Sequence, residues 1–187
     1  MRQRDAHELM RAAWFRRRES FEVDGQERTE MLQQSATELE QAAELSREVP
    51  VDFAQALHLL ANVCIDLGDR DRAETLWIEA ISVLETCEAP LQLAHKVRHL
   101  GDFRFDGGQL KEAEKLYETA LTLYREHASS ESLDFANALR RMALLQEKRG
   151  DLERARALWS ETRELYAAVG LAQGVEEADV HLAQLAP

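Results

Sequence analysis

Two histidines, His95 and His99, stand four residues apart, a spacing that places both side chains on one face of a helix. Imidazoles arranged in this way can bind zinc or nickel, and His58, on the preceding helix, is the candidate for a third ligand. Exposed helical histidine pairs are nevertheless far commoner than metal sites. We therefore predict no bound metal and no other cofactor.

The chain carries no glycine-rich phosphate loop, no nucleophile elbow and no His-Glu-x-x-His sequence. Its acidic residues are spread at spacings typical of solvated helix faces, and the pair Glu176 and Glu177 is interpreted as first-turn residues that offset a helix dipole. Cys64 and Cys87 form neither a metal motif nor a disulfide framework, and Cys64 is expected in the core. We predict a protein that is not an enzyme and has no catalytic residues.

Charge is unevenly distributed along the chain, whose net charge is −12. The segment 1–20 holds six arginines and three carboxylates, whereas the segment 21–187 holds 17 basic and 32 acidic side chains. The acidic balance argues against nucleic-acid binding. The arginines at 16–18 indicate a solvated helix end or a contact with an acidic partner, a phosphate or an anionic membrane surface. No segment approaches the ~20 apolar residues that span a bilayer, so we expect a soluble, cytoplasmic protein without membrane contact.

A repeated pattern organises the middle of the chain. Three glycines recur at nearly constant intervals, and each is followed five positions later by an alanine and nine positions later by a large aromatic residue. The glycines are Gly68, Gly108 and Gly150, the alanines Ala73, Ala113 and Ala155, and the aromatic residues Trp77, Tyr117 and Trp159. Apolar residues on both sides of each glycine recur at spacings of three and four, which predicts two amphipathic helices joined at the glycine. Asp69 and Asp151 directly after a turn glycine are predicted N-caps.

This pattern resembles the tetratricopeptide repeat family. The stretches GDRDRAETLWIEAISVL, GGQLKEAEKLYETALTLY and GDLERARALWSETRELY carry the resemblance, and the long period is similar to that of kinesin light chains and many bacterial arrays. The resemblance implies an all-α fold, a right-handed α-α superhelix of antiparallel helical hairpins closed by a C-terminal capping helix. Thr162 stands where the family usually has alanine.

We predict a single domain over residues 1–187. It would comprise a degenerate first hairpin at 5–48, repeats at 52–88, 90–128 and 131–169, and a capping helix at 171–186. Within the first hairpin, helices are expected over 5–22 and 28–48, joined near Gly25.

The family resemblance also implies where a partner would bind, because partner peptides usually lie along the first helices of the hairpins. The corresponding residues here are Gln55, His58, Asn62 and Ile65, then His95, Arg98, His99, Asp102 and Phe105, then Asn137, Arg140, Arg141 and Leu144. Arginine and asparagine donate to carboxylates, so a protein or peptide with acidic or carboxylate groups is the expected partner. The alternative is that these polar residues bind no partner and only keep an exposed helix face soluble.

Self-association is the alternative function. The aromatic residues Trp14, Phe15 and Phe21 either cover the first hairpin or form an apolar patch through which the chain forms homo-oligomers and acts as a scaffold.

Overall fold

The structure, a computed structural model, describes residues 2–128 and 132–186, which form nine α-helices and no β-strand. Glu131, the predicted first residue of the third repeat, and both ends of the predicted domain, Met1 and Pro187, lie outside the described residues. None of the described helices offers an apolar stretch of the length that crosses a membrane.

The helices follow the predicted hairpin pattern. They are α1 (Arg2–Glu19), then a short 3₁₀ helix (Ser20–Glu22), α2 (Gly25–Ser46), α3 (Pro50–Asp66), α4 (Arg70–Glu85), α5 (Pro90–Asp106), α6 (Leu110–His127), α7 (Leu133–Arg149), α8 (Leu152–Ala168) and α9 (Ala172–Gln184). The prediction of an all-α repeat fold is therefore confirmed.

The chain divides into two compact units, Met1–Gln92 and Leu93–Pro187, with the division inside α5. In the first unit α1 packs on α2, α2 on α3 and α3 on α4. In the second unit α6 packs on α7, α7 on α8 and α8 on α9. That residues 1–187 act as one domain stays a prediction.

The turn glycines end the first helix of each repeat in the left-handed region, with φ of 83° at Gly68, 77° at Gly108 and 81° at Gly150. Residues with a side chain rarely adopt this conformation, which explains the spacing of the three glycines. The carboxylates of Asp69 and Asp151 then accept from backbone N–H groups three residues later, at 3.2 Å in both helices. Both predicted N-caps are confirmed.

The repeat alanines and aromatic residues form the core, as the pattern predicts. Trp77, Tyr117 and Trp159 are 4%, 0% and 0% exposed, and the small alanines before them are fully buried. Cys64 is also buried, and burial raises the pKa of its thiol. Thr162 is accommodated in the core because its hydroxyl donates to the backbone oxygen of Leu158 at 2.8 Å.

Gly174 sets the distance between α9 and α8. A Cβ atom at this position would lie 2.5 Å from Cδ2 of Tyr166, whose side chain is buried. We expect Gly174→Ala to lower the free energy of unfolding by about 1–2 kcal/mol, because overpacking outweighs the helix propensity of alanine. Urea unfolding measures the change, with the exposed Gln173→Ala as control. A net stabilisation by Gly174→Ala would show that α9 does not pack as described.

Candidate partner-binding face

In the first unit, the predicted binding residues Gln55, His58 and Asn62 lie on α3. Gln55 and Asn62 are half-buried, whereas His58 is only 4% exposed. The indole N–H of Trp77 donates to Nδ1 of His58 at 3.1 Å, and the Asn62 carboxamide lies 3.2 Å from Nε2. The imidazole of His58 is thus part of the packing between α3 and α4, and the other two side chains are the accessible ones.

The second unit holds the remaining seven predicted residues, on α5 and α7. We call them the α5–α7 face: His95, Arg98, His99, Asp102, Asn137, Arg140 and Arg141. Most of these side chains are only partly exposed, and Arg98 is buried.

Asp102 is the centre of this face. Its carboxylate accepts hydrogen bonds from Nη1 of Arg98 at 2.6 Å, the hydroxyl of Tyr117 at 2.8 Å and Nε of Arg141 at 2.7 Å. Burial alone would lower the pKa of Arg141, but the charge of Asp102 and the Tyr117 hydroxyl outweigh it and raise that pKa. Arg98 and Arg141 were predicted to bind a carboxylate of a partner. Both already bind the carboxylate of Asp102 in this chain.

The guanidinium of Arg141 also contacts Asp106 and Phe105. Its Nη2 donates to Asp106 at 2.7 Å, and its Cζ lies 4.8 Å from the ring centroid of Phe105. The ammonium of Lys148 lies 5.2 Å from the same ring, so two cations contact Phe105. Arg141 is held on several sides, which fixes its position on α7.

Arg140 binds a carboxylate with both arms of its guanidinium. Its Nε and Nη2 donate to the two oxygens of Glu177 on α9, at 2.6 and 2.5 Å. These hydrogen bonds hold the pKa of Glu177 below its usual range. The two side chains are 31% and 33% exposed, so this pair is accessible from solvent.

The interpretation of Glu176 and Glu177 as first-turn residues of a helix is wrong. The first turn of α9 contains no acidic residue, because the helix begins at Ala172 and places Glu176 and Glu177 in its second turn. Glu177 pairs with Arg140, a partner on α7 that no local spacing indicated.

Asn137 contacts the α8 tyrosine of its own repeat, since the hydroxyl of Tyr166 donates to its Oδ1 at 2.8 Å. Tyr124 holds the equivalent position in the preceding repeat, and its hydroxyl is buried without a hydrogen-bond partner among the described residues. Nε of Arg98 is likewise buried and unpartnered there. Burial raises the pKa of Tyr124, and the nearby positive charge of Arg98 opposes part of that rise.

The two histidines on α5 share one face, as their spacing predicted, with ring centroids 4.6 Å apart. Nδ1 of His95 lies 3.2 Å from the carboxylate of Asp134, and Nη2 of Arg98 lies 2.6 Å from Nε2 of His99. One nitrogen of each ring is therefore in contact with another side chain of the chain.

Lys96 is a buried cation that the sequence interpretation missed. Its side chain is 3% exposed, and burial lowers its pKa to about 8, with an opposing effect of Asp134 and a smaller lowering by Arg98. Lys96 occupies the repeat position held by Ala56 and Ala138, both fully buried. Comparison of the three repeats position by position would have identified it.

The repeat aromatic residues also support side chains on the first helices. Trp77 donates to His58, Tyr117 to Asp102, and the indole N–H of Trp159 to Glu147 at 2.5 Å. Glu147 also lies 2.8 Å from Nδ1 of His181, whose ring stacks on Trp159 with centroids 4.1 Å apart. One core position in each repeat therefore fixes a polar side chain on the helix before it.

Comparison with solved structures identifies the fold as tetratricopeptide-like. BtubC (BKLC) from P. vanneervenii shares 16% identity and a TM-score of 0.64, covering 99% of this chain and 91% of that one. The TPR-like repeats of a putative kinesin light chain from Podosopora anserina share 17% identity and a TM-score of 0.66, over 96% and 93% of the two chains. Aspartyl phosphate phosphatase F from Bacillus subtilis shares 16% identity and a TM-score of 0.83, over 99% of this chain and 46% of that one.

These likenesses, at 16% or 17% identity, establish the fold and confirm the predicted resemblance to tetratricopeptide repeats at that level. The comparison with protein-family models gives no match, and the comparison with curated protein sequences gives none.

Proposed function

We propose that this chain is a protein-interaction module that binds an extended peptide along the α5–α7 face, and that a carboxylate of the peptide binds Arg140. The observation that supports this most directly is the two-pronged hydrogen bonding between Arg140 and Glu177, at 2.6 and 2.5 Å. This is the geometry with which arginine recognises carboxylates in general.

The proposed binding step is an exchange of carboxylates at Arg140. The pair with Glu177 is partly exposed, so a partner carboxylate can reach Arg140, and the bonds that it forms there replace those that Glu177 gives up. A peptide brings further contacts that Glu177 does not make, and the half-buried Asn137 and His95 are placed to supply them from α7 and α5. In this proposal Glu177 occupies Arg140 whenever no partner is bound.

Arg98 and Arg141 have a different role in this proposal. Arg98 is 8% exposed, and both arginines are bonded to Asp102, so they support the face and do not contact the peptide carboxylate directly. Charge reversal at Arg98 would damage packing as well as binding. Arg140 is therefore the position at which binding is tested.

The test uses a library of random unstructured peptides with free C-terminal carboxylates, selected on the immobilised chain. We expect recovered peptides to contain acidic residues or to depend on the free C-terminus. Arg140→Gln should weaken their binding by about 10- to 100-fold, the effect of losing a charged hydrogen-bonded pair. Glu177→Gln should strengthen binding, because it removes the competing carboxylate. Isothermal titration calorimetry gives both affinities.

Arg163→Gln is the matched control. Arg163 on α8 also pairs with a carboxylate of α9, Asp179, at 2.5 Å, but lies outside the α5–α7 face. It should leave peptide affinity unchanged. Equal affinities for the wild-type chain and Arg140→Gln would contradict the proposal, as would peptides that bind equally well after amidation and replacement of their acids. The lack of catalysis, the lack of nucleic-acid binding and the cytoplasmic location stay predictions.

A further inference from the structure

Helix α1 presents a basic and aromatic stripe to solvent. Each of Arg11, Trp14, Phe15 and Arg18 is three or four positions from two of the others, and all four are exposed, Trp14 by 42% and Phe15 by 51%. The buried residues of α1 are Ala6, Met10 and Ala13, and the helix packs on α2. The three aromatic residues that the sequence singled out thus do not lie in the core.

The aromatic rings and the arginines of this stripe form one cluster. Trp14 and Phe15 meet edge to face with centroids 4.9 Å apart, and the guanidinium of Arg18 lies 5.6 Å from the Trp14 centroid. Phe21, 50% exposed, lies between Arg17 and Arg28, at 5.5 and 5.3 Å. Neighbouring half-exposed aromatic side chains of this kind mark interaction surfaces. A complementary surface has to combine apolar space with negative charge.

The α8–α9 turn offers such a surface. A shallow pocket of about 400 Å³ lies there, with small and aliphatic residues in its lining and two carboxylates beside them. The apolar lining is Ala167, Gly170, Leu171, Ala172 and Val175, and the carboxylates are Glu176, which is exposed, and Asp179, which pairs with Arg163. Exposed Val180 follows the acidic residues on α9 and adds to the apolar surface there.

The charges of the two surfaces are opposite. The stripe belongs to the segment 1–20, in which six arginines outnumber three carboxylates, whereas the segment 21–187 holds 17 basic and 32 acidic side chains. A second copy of the chain therefore supplies the acidic and apolar surface that the α1 stripe requires.

We propose that the chain self-associates head to tail: Trp14 and Phe15 of one copy enter the α8–α9 pocket of a second copy, with Arg11 and Arg18 facing its exposed Glu176. The α1 stripe and the α8–α9 pocket are different surfaces, so a pair of copies in contact still has one unused stripe and one unused pocket. Further copies can bind to these until the assembly closes into a ring or no free protein is left. This contact uses neither Arg140 nor Glu177, and so it is independent of the proposed peptide binding.

Sedimentation velocity over a wide range of concentrations tests the proposal. We expect the weight-average mass to rise with concentration, and the rise to be smaller at high salt because ions screen the arginine–carboxylate contacts. Trp14→Ser should weaken association about tenfold or more, since it removes the aromatic group from the pocket. A mass that stays monomeric at every concentration would overturn the proposal.

Two charge reversals test whether a second copy of the chain, and not another partner, binds the α1 stripe. Arg18→Glu and Glu176→Arg should each weaken self-association at least about tenfold, because each places like charges opposite one another. An equimolar mixture of the two variants should associate again, since every mixed contact then joins opposite charges. Circular dichroism melts confirm that both variants are folded.

Failure of the mixture to associate would overturn the proposal even if each variant alone is monomeric. So would a monomeric chain that co-sediments with phosphatidylserine vesicles through Trp14, because the stripe would then be a membrane-binding surface. Peptide affinity measured on the same variants stays unchanged in either case, which separates this test from that of Arg140.

Discussion

Asp102→Ala is expected to lower the free energy of unfolding by about 2–4 kcal/mol, although the residue lies outside the apolar core. The carboxylate accepts from Arg98, Arg141 and the Tyr117 hydroxyl, and all three donors lose an acceptor at once. Removing one partner of a buried ion pair leaves the other charge uncompensated, and here the buried Arg98 is the charge that is left. The expected loss lies below that for a fully buried pair because the Asp102 side chain is 19% exposed.

Urea unfolding followed by circular dichroism measures this loss, and Asp106→Ala is the matched control. Asp106 also accepts from Arg141 but is 60% exposed, so its removal should change stability by less than about 1 kcal/mol. Equal effects of the two substitutions would show that Asp102 is not the centre of the α5–α7 face. Asp102→Asn should give an intermediate loss, because it keeps the shape of the side chain without its charge.

Lys96→Met is expected to raise the free energy of unfolding at pH 7 by about 1–3 kcal/mol. Burial lowers the pKa of Lys96 from its ordinary value of 10.5 to about 8, which means that the folded state disfavours the ammonium form. Each pKa unit corresponds to about 1.4 kcal/mol, and interactions that Lys96 loses on substitution reduce the gain. Methionine keeps most of the side-chain volume, so no large cavity forms.

The same pKa predicts a pH dependence. Between pH 8 and 10.5 the unfolded lysine still holds its proton while the folded one has released it, so the unfolded state binds more protons and stability rises with pH. The advantage of Lys96→Met over wild type should therefore be full below pH 8 and should shrink as the pH rises toward 10.5. Urea unfolding at several pH values measures the difference, and the exposed Lys111→Met serves as control. A difference that does not change with pH would contradict the burial of the charged amine.

The helical repeat could be predicted from the sequence because the residues that define it are close together along the chain. A glycine at φ of 83° or 81° followed by an aspartate cap ends one helix and begins the next, and these steps need only a few consecutive residues. The buried alanines and aromatic residues recur in the same register, so Trp77, Tyr117 and Trp159 could be placed in the core in advance. The buried side of helix α1 could not be predicted in this way, because its Trp14 and Phe15 are apolar yet exposed.

For the α5–α7 face, the sequence predicted which helices carry the arginines but not their ion-pair partners. Family register placed Arg98, Arg140 and Arg141 on the first helices, and the structure puts them there, on α5 and α7. Their state depends on Asp102, Asp106 and Glu177, of which Glu177 lies 37 residues from Arg140. A contact over such a distance cannot be derived from spacing along one helix. Lys96 is not part of the repeat pattern, because it stands where the other two repeats have the buried Ala56 and Ala138.

By itself, the sequence determined the helices, their order and their buried sides, because turn glycines, caps and apolar periodicity act through neighbouring residues. The two histidines four residues apart were also placed correctly on one face of α5. Only the tertiary structure decided what those polar side chains do. Packing between helices buried His58 against Trp77, paired Arg98 and Arg141 with Asp102, and left Arg140 partly exposed and paired with Glu177. Charges act through space and solvent exposure, and both are set by how distant segments pack.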